Sequence, residues 1–110
     1  MTQIRAPERE KTGGYMDFGG ALDAMRKGLK VSRAGWNGRG MWLILVPGSE
    51  VDLRPGSQYA LALASRVGGG LGTKQKINPH IDMMTATGEM QPGWLSSQTD
   101  MLANDWETVA

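Results

Sequence analysis

Residues 41–46 read Met-Trp-Leu-Ile-Leu-Val and are closed at once by Pro47-Gly48. Six apolar residues in a row are too few for a free-standing helix and leave no polar face for water. The run therefore predicts a fully buried strand. The rest of the chain has to supply what buries it. The nearest candidate lies upstream, where Phe18, Ala21, Leu22 and Met25 recur at the spacing of one helical stripe. Asp17 can cap that helix, and Gly28 can stop it after Arg26 and Lys27, where cations suit the helix dipole.

The same reading extends along the chain. Residues 31–33 suit a short strand, and 34–40 form a turn-rich loop. Residues 50–53 suit a return strand, and 57–66 a short helix capped by Ser57 and ended near Gly68. Gly68-Gly69-Gly70-Leu71-Gly72 loses too much backbone entropy on ordering to be regular structure cheaply, so a long mobile loop is expected there. Residues 77–85 and 89–91 suit a hairpin turning at Ala86-Thr87-Gly88 and broken by Pro92-Gly93. Thr99 or Asp100 can cap a turn of helix reaching Ala103, and 106–109 form a closing strand. The order gives an α+β fold: a single small domain, one antiparallel sheet with the N-terminal helix packed on it, plus the mobile loop. Residues 1–15, with five charges, Pro7 and Gly13-Gly14, are expected to be a disordered leader, and 16–110 the folded domain.

Composition removes several functions. No cysteine is present, so disulfides, thiolate nucleophiles and cysteine-zinc sites are excluded. His80 is the only histidine, which rules out a two-histidine metal site. No apolar run approaches the roughly 18 residues of a membrane span. The net charge of +1 is too small for a domain that grips duplex nucleic acid through its phosphates. The charges are segregated nonetheless. Residues 26–39 carry Arg26, Lys27, Lys30, Arg33 and Arg39 and no acid. Residues 77–110 carry Asp82, Glu89, Asp100, Asp105 and Glu107 and no Lys or Arg. Such halves either pair within the fold or leave a local basic pocket for a small anion.

The residues that can carry chemistry suit binding better than catalysis. His80 and Asp82 alternate along a strand and share a face, as an acid–base pair or a structural hydrogen-bonding pair. No serine sits in a nucleophile elbow. The loop Gly35-Trp36-Asn37-Gly38-Arg39-Gly40 is neither a Walker loop nor a dinucleotide fingerprint. It still offers an indole face, backbone that can approach a ligand, and two guanidinium groups, Arg33 and Arg39, suited to phosphate oxygens. A tight turn with Trp36 covering the core edge explains it equally well. Four of the seven aromatic residues are tryptophan. Trp42 and Trp106 fall in strands, where packing accounts for them. Trp36 and Trp94 fall in Gly/Pro loops, which points them to a ligand or a subunit interface. Ser96-Ser97-Gln98-Thr99-Asp100 places donors and acceptors fit for a sugar or base edge just before a helix start.

These motifs together resemble the second type of Thoeris anti-defence family. The likeness runs from 16 to 109. It rests on Gly35-Trp36-Asn37-Gly38, on Pro79-His80-Ile81-Asp82-Met83, and on the span from Trp94 to Trp106 enclosing Ser97-Gln98-Thr99-Asp100. The resemblance implies a phage protein acting in the cytoplasm of the infected bacterium. It implies capture, without cleavage, of a cyclic ADP-ribose isomer, and in some members of cyclic dinucleotides, the signals of the CBASS defence, in separate pockets. It implies a homotetramer with pockets at subunit boundaries, no cofactor and no metal. Trp36 and Asn37 match the loop that would stack on and hydrogen-bond the ligand, Gln98, Thr99 and Asp100 a polar wall, and His80 and Asp82 the strand motif. The leader and the 54–76 segment depart from the compact members. A structural or protein-interaction module, with Trp36 and Trp94 meeting a protein, is the alternative.

Overall fold

The computed structural model describes residues 14–37, 39–64 and 74–110. Most of the expected leader, the glycine run at 68–72 and the end of the helix expected over 57–66 lie outside the described residues. The chain forms two compact units, Met1–Val46 with His80–Ala110, and Pro47–Pro79.

The first unit is a five-stranded antiparallel sheet with one helix on a face. Helix α1 spans Phe18–Arg26, followed by β1 (Lys30–Arg33) and β2 (Trp42–Val46). After the second unit come β5 (His80–Met84), β6 (Met90–Gln91), the single-turn helix α3 (Gln98–Met101) and β7 (Trp106–Val109). The strand order is β6-β5-β2-β1-β7. Helix α1 begins where the sequence predicts. Asp17 is its N-cap and accepts from the Gly20 amide at 2.9 Å. Gly28, at φ +88°, turns the chain out of the helix in the left-handed conformation that a side chain disfavours.

The apolar strand β2 is central, as its composition demands, but it is not fully buried. Only Leu43 is sealed off, at 0% exposure, and its four neighbours in the strand are half-buried. The reason is the period of two. Leu43 and Leu45 face α1 and join a core of Ala21, Ala24, Met25, Val31 and Trp106. Trp42, Ile44 and Val46 point to the other face, in register with Met84, Asp82 and His80. There Lys30 lies over the Trp42 ring, 5.1 Å from its centroid.

The second unit pairs β3 (Ser49–Asp52) with β4 (Lys74–Ile77), with helix α2 (Gln58–Ala64) between them in sequence. The Ser57 hydroxyl accepts from the Ala60 amide at 3.2 Å, the expected cap. Across the strands Glu50 stands opposite Lys76, and Lys74 Nζ meets Asp52 Oδ1 at 2.8 Å. Both partners of that pair are exposed, so it contributes at most about 1 kcal/mol.

Two expectations are corrected. The single sheet is a five-stranded sheet and a separate two-stranded one. The strand expected over 77–85 is divided, because Asn78-Pro79 interrupts it and Pro79 has no amide to give a ladder. Ile77 consequently belongs to β4 and His80 opens β5. The mixed α+β class, with the N-terminal helix on an antiparallel sheet, stands.

Truncating the sealed residue of β2 tests this core. Leu43→Ala should cost about 2–5 kcal/mol of unfolding free energy by urea titration. Asp17→Ala, which removes only the cap of α1, should cost about 1 kcal/mol.

Candidate functional site

The sheet brings the basic and acidic segments of the sequence together. Strand β1 pairs with β7 so that Arg33 stands opposite Trp106, and the chain then enters the 34–40 loop beside Asp105. Arg33 Nε donates to Asp105 Oδ1 at 2.7 Å, and Nη1 donates to Asp100 Oδ1 at 2.8 Å. Its Nη2 makes a longer bond to Asp105 Oδ2 at 3.4 Å. Asp105 Oδ2 also accepts from the Gly35 amide at 2.8 Å, and Asp100 Oδ1 from the Trp36 indole Nε1 at 3.0 Å. The start of the loop is therefore fixed through a guanidinium, a backbone amide and an indole.

Gly35 is required for this closeness. A Cβ there would sit 2.9 Å from Asp105 Oδ2 and 3.1 Å from Arg33 Nη2. Helix α3 is held from the same side. Ser97 is its N-cap, accepting from the Asp100 amide at 3.0 Å, which replaces the expected Thr99 or Asp100 cap. Ser97 takes that role because its backbone is extended, while Asp100 is already inside the turn with its carboxylate given to Arg33 and Trp36. The Trp106 indole donates to the Asp100 carbonyl at 2.9 Å, tying the helix to the core.

An aromatic cluster lies beneath. Trp106, at 0% exposure, is its centre. Trp36 meets it edge-on with centroids 5.4 Å apart, Trp94 edge-on at 6.1 Å, and Phe18 at a tilt at 5.4 Å. Such edge contacts suit the quadrupoles of the rings. Trp36 and Trp94 thus pack on the core with one side and keep part of their surface outward.

The remaining candidates divide. Asn37 and Arg39 are exposed on the loop, and Gln98 and Thr99 on α3. Trp36 bonds Asp100, the residue after Thr99, so loop and helix form one neighbourhood. His80 and Asp82 do share a face, with Nε2 and Oδ1 3.4 Å apart. Asp82 Oδ1 also accepts from the Gly93 amide at 2.7 Å, pinning the Pro92-Gly93 break to β5. Among the described residues no three His, Asp or Glu side chains gather as a metal site. Asp105 and Phe18 also belong to this neighbourhood, and no sequence motif marks either as a site residue. The charge segregation carried a signal for Asp105, since pairing of the acid-only segment with the basic one was one of its two outcomes.

The clamp also sets the titration of its carboxyls. Burial alone pushes Asp100 up; the bonds from Arg33, Trp36 and Ser97, with the Arg33 charge, outweigh it and hold the group below the usual carboxylate range. At Asp105 burial again pushes up, and Arg33 with the Gly35 amide more than reverses it. Bonds from Asp105 and then Asp100 raise Arg33, which stays charged.

A family model described as the Thoeris anti-defense 2-like domain matches residues 16–109. The chain belongs to that family. A Bacillus phage SP01 protein named Thoeris anti-defense 2 is 34% identical to this family member over 97 residues, which cover 86% of the chain and 96% of the phage protein. No described helix of this family member is long and apolar enough to cross a membrane.

Acid should weaken the clamp. Both carboxyls have lowered folded pKa values, so their stabilisation is present above the unfolded value of about 3.9 and is lost as pH falls through the folded ones. Unfolding free energy should drop between about pH 5 and pH 2. Arg33→Met should cost about 2–4 kcal/mol at neutral pH and flatten that dependence, as measured by urea titration across pH.

Proposed function

We propose that the chain is a phage anti-defence protein that captures a cyclic ADP-ribose-type immune signal in the cytoplasm of the infected bacterium and leaves it intact. Membership of the Thoeris anti-defense 2-like family supports the biological role. The observation that carries the ligand is the anchored loop: Trp36 held edge-on to Trp106, with Asn37 and Arg39 exposed beyond it and Gln98 and Thr99 beside it on α3.

The chemistry suits the ligand. A purine needs a flat face, which Trp36 and the outward part of Trp94 offer. A pyrophosphate needs a cation and amide donors, which Arg39 and Asn37 offer. Ribose hydroxyls need acceptors, which Gln98 and Thr99 offer. His80 and Asp82 lie on the opposite face of the sheet, beside Val46 and Ile44, so they fall outside this surface. Capture by a sponge requires tight binding, and nanomolar affinity is about −12 kcal/mol. Stacking supplies about 1–3 kcal/mol per base and each charge-assisted bond about 1.5–3 kcal/mol. These sums suffice only in a closed, ordered pocket.

Closure points to a homo-oligomer, a tetramer by the family resemblance. Leu95 is 93% exposed and Leu102 74% exposed, one on each side of α3. Apolar side chains so open beside a polar wall suit contact with another copy of the chain. The same leucines would serve an interaction module, so that reading stands as the alternative outcome of the test.

Thermal stabilisation by cyclic ADP-ribose isomers, with cyclic dinucleotides as a second arm, is the decisive measurement. A rise in Tm with one isomer is expected, and mass spectrometry of the denatured complex should return the ligand unchanged. Trp36→Ala should weaken binding about 10- to 100-fold. Consumption of ligand beyond one equivalent would indicate an enzyme. No response to any cyclic nucleotide, with a stoichiometric protein partner instead, would favour the interaction module.

A further inference from the structure

We infer that Arg33, Asp100 and Asp105 are positioning residues that set the Trp36 loop in its binding pose before any ligand arrives, rather than groups that touch the ligand. The inference deepens the proposed function and rests on it for its ligand.

Donor counting comes first. A guanidinium has five N–H groups. Arg33 gives three of them, from Nε, Nη1 and Nη2, to two carboxylates, and the side chain that carries the other two is only 15% exposed. Turning it toward a phosphate would leave Asp100 and Asp105 side by side with no counter-charge, which is far costlier than leaving an exposed pair. The trio also sums to one negative charge, a poor surface for an anion but a sound frame for a loop.

What the trio holds is specific. Asp105 takes the Gly35 amide, and Asp100 takes the Trp36 indole N–H. The indole is thereby fixed both in plane, against Trp106, and by its edge. Its remaining surface is what a base can stack on. If the clamp opens, the loop samples other poses, and apparent affinity falls by the fraction that remains competent.

The test separates holding from touching. In ligand-free protein, the Trp36 indole N–H, assigned by its loss in Trp36→Phe, should exchange slowly with solvent. Asp100→Ala should speed that exchange about tenfold or more, while Asp100→Asn, which keeps an acceptor oxygen, should restore most of it. The Trp106 indole bonds the Asp100 carbonyl and should be unmoved in both variants. Affinity for the cyclic ADP-ribose isomer should fall about tenfold or more in Asp100→Ala and return nearly to wild type in Asp100→Asn. Should Asp100→Ala fail to fold by circular dichroism, Asp105→Asn serves in its place, with faster Trp36 indole exchange expected and unchanged exchange overturning the clamp.

Unchanged indole exchange in Asp100→Ala overturns the inference. So does faster exchange with unchanged affinity, because the pose would then be irrelevant to binding. A wild-type protein that binds no cyclic nucleotide removes the proposed function and this inference's role in capture with it. Slow, Asp100-dependent indole exchange in such a protein would locate the failure in the ligand and not in the clamp.

Discussion

One guanidinium between two carboxylates holds the 34–40 loop, α3 and the start of β7 together. Arg33 stands at the end of β1, Asp100 on α3 and Asp105 just before β7. Arg33 is 67 residues from Asp100 and 72 from Asp105 in sequence, and the ion pairs join β1 to the other two elements. The bonds are short and the groups mostly sheltered, so the arrangement differs in kind from the exposed Lys74–Asp52 and Arg26–Asp23 pairs. A sheltered charge without its partner is expensive, which makes the trio all-or-none.

The aromatic cluster explains why the clamp sits where it does. Trp106 fills the core from β7 and sends its indole N–H to the backbone of α3. Trp36 leans on it from the loop, and Trp94 and Phe18 complete the surround. Apolar burial and the ionic clamp therefore act on the same loop from two sides. The core fixes the ring's plane and Asp100 fixes its edge. A chain of this size has a thin core, and its largest fully buried side chain, Trp106, sits where the loop packs.

That arrangement reassigns two residues that composition alone would give to a ligand. Arg33 is the obvious phosphate binder in a basic segment, and Asp100 an obvious hydroxyl acceptor. Both are engaged with each other. The groups around them that remain exposed are Asn37, Arg39, Gln98 and Thr99. Leu95 and Leu102, beside α3, are exposed as well.

The sequence alone determined the local structure: helix α1 with its Asp17 cap and Gly28 stop, the strand character of 42–46, the closing strand, and the motifs that carry the family. Each depends on neighbours a few residues away, where side-chain period and capping chemistry act. The segregated charges left two outcomes open, pairing within the fold or a local basic pocket, and the structure shows Arg33 paired. Partners had to come from the tertiary structure, because register decides them. The pairing of Arg33 with Trp106 across β1 and β7 brings Asp105 to Gly35, and the division at Pro79 sends Ile77 to a different sheet. That only Leu43 of β2 is sealed and its neighbours half-buried was likewise invisible in an unbroken apolar run, since a strand's composition does not say what will cover its faces.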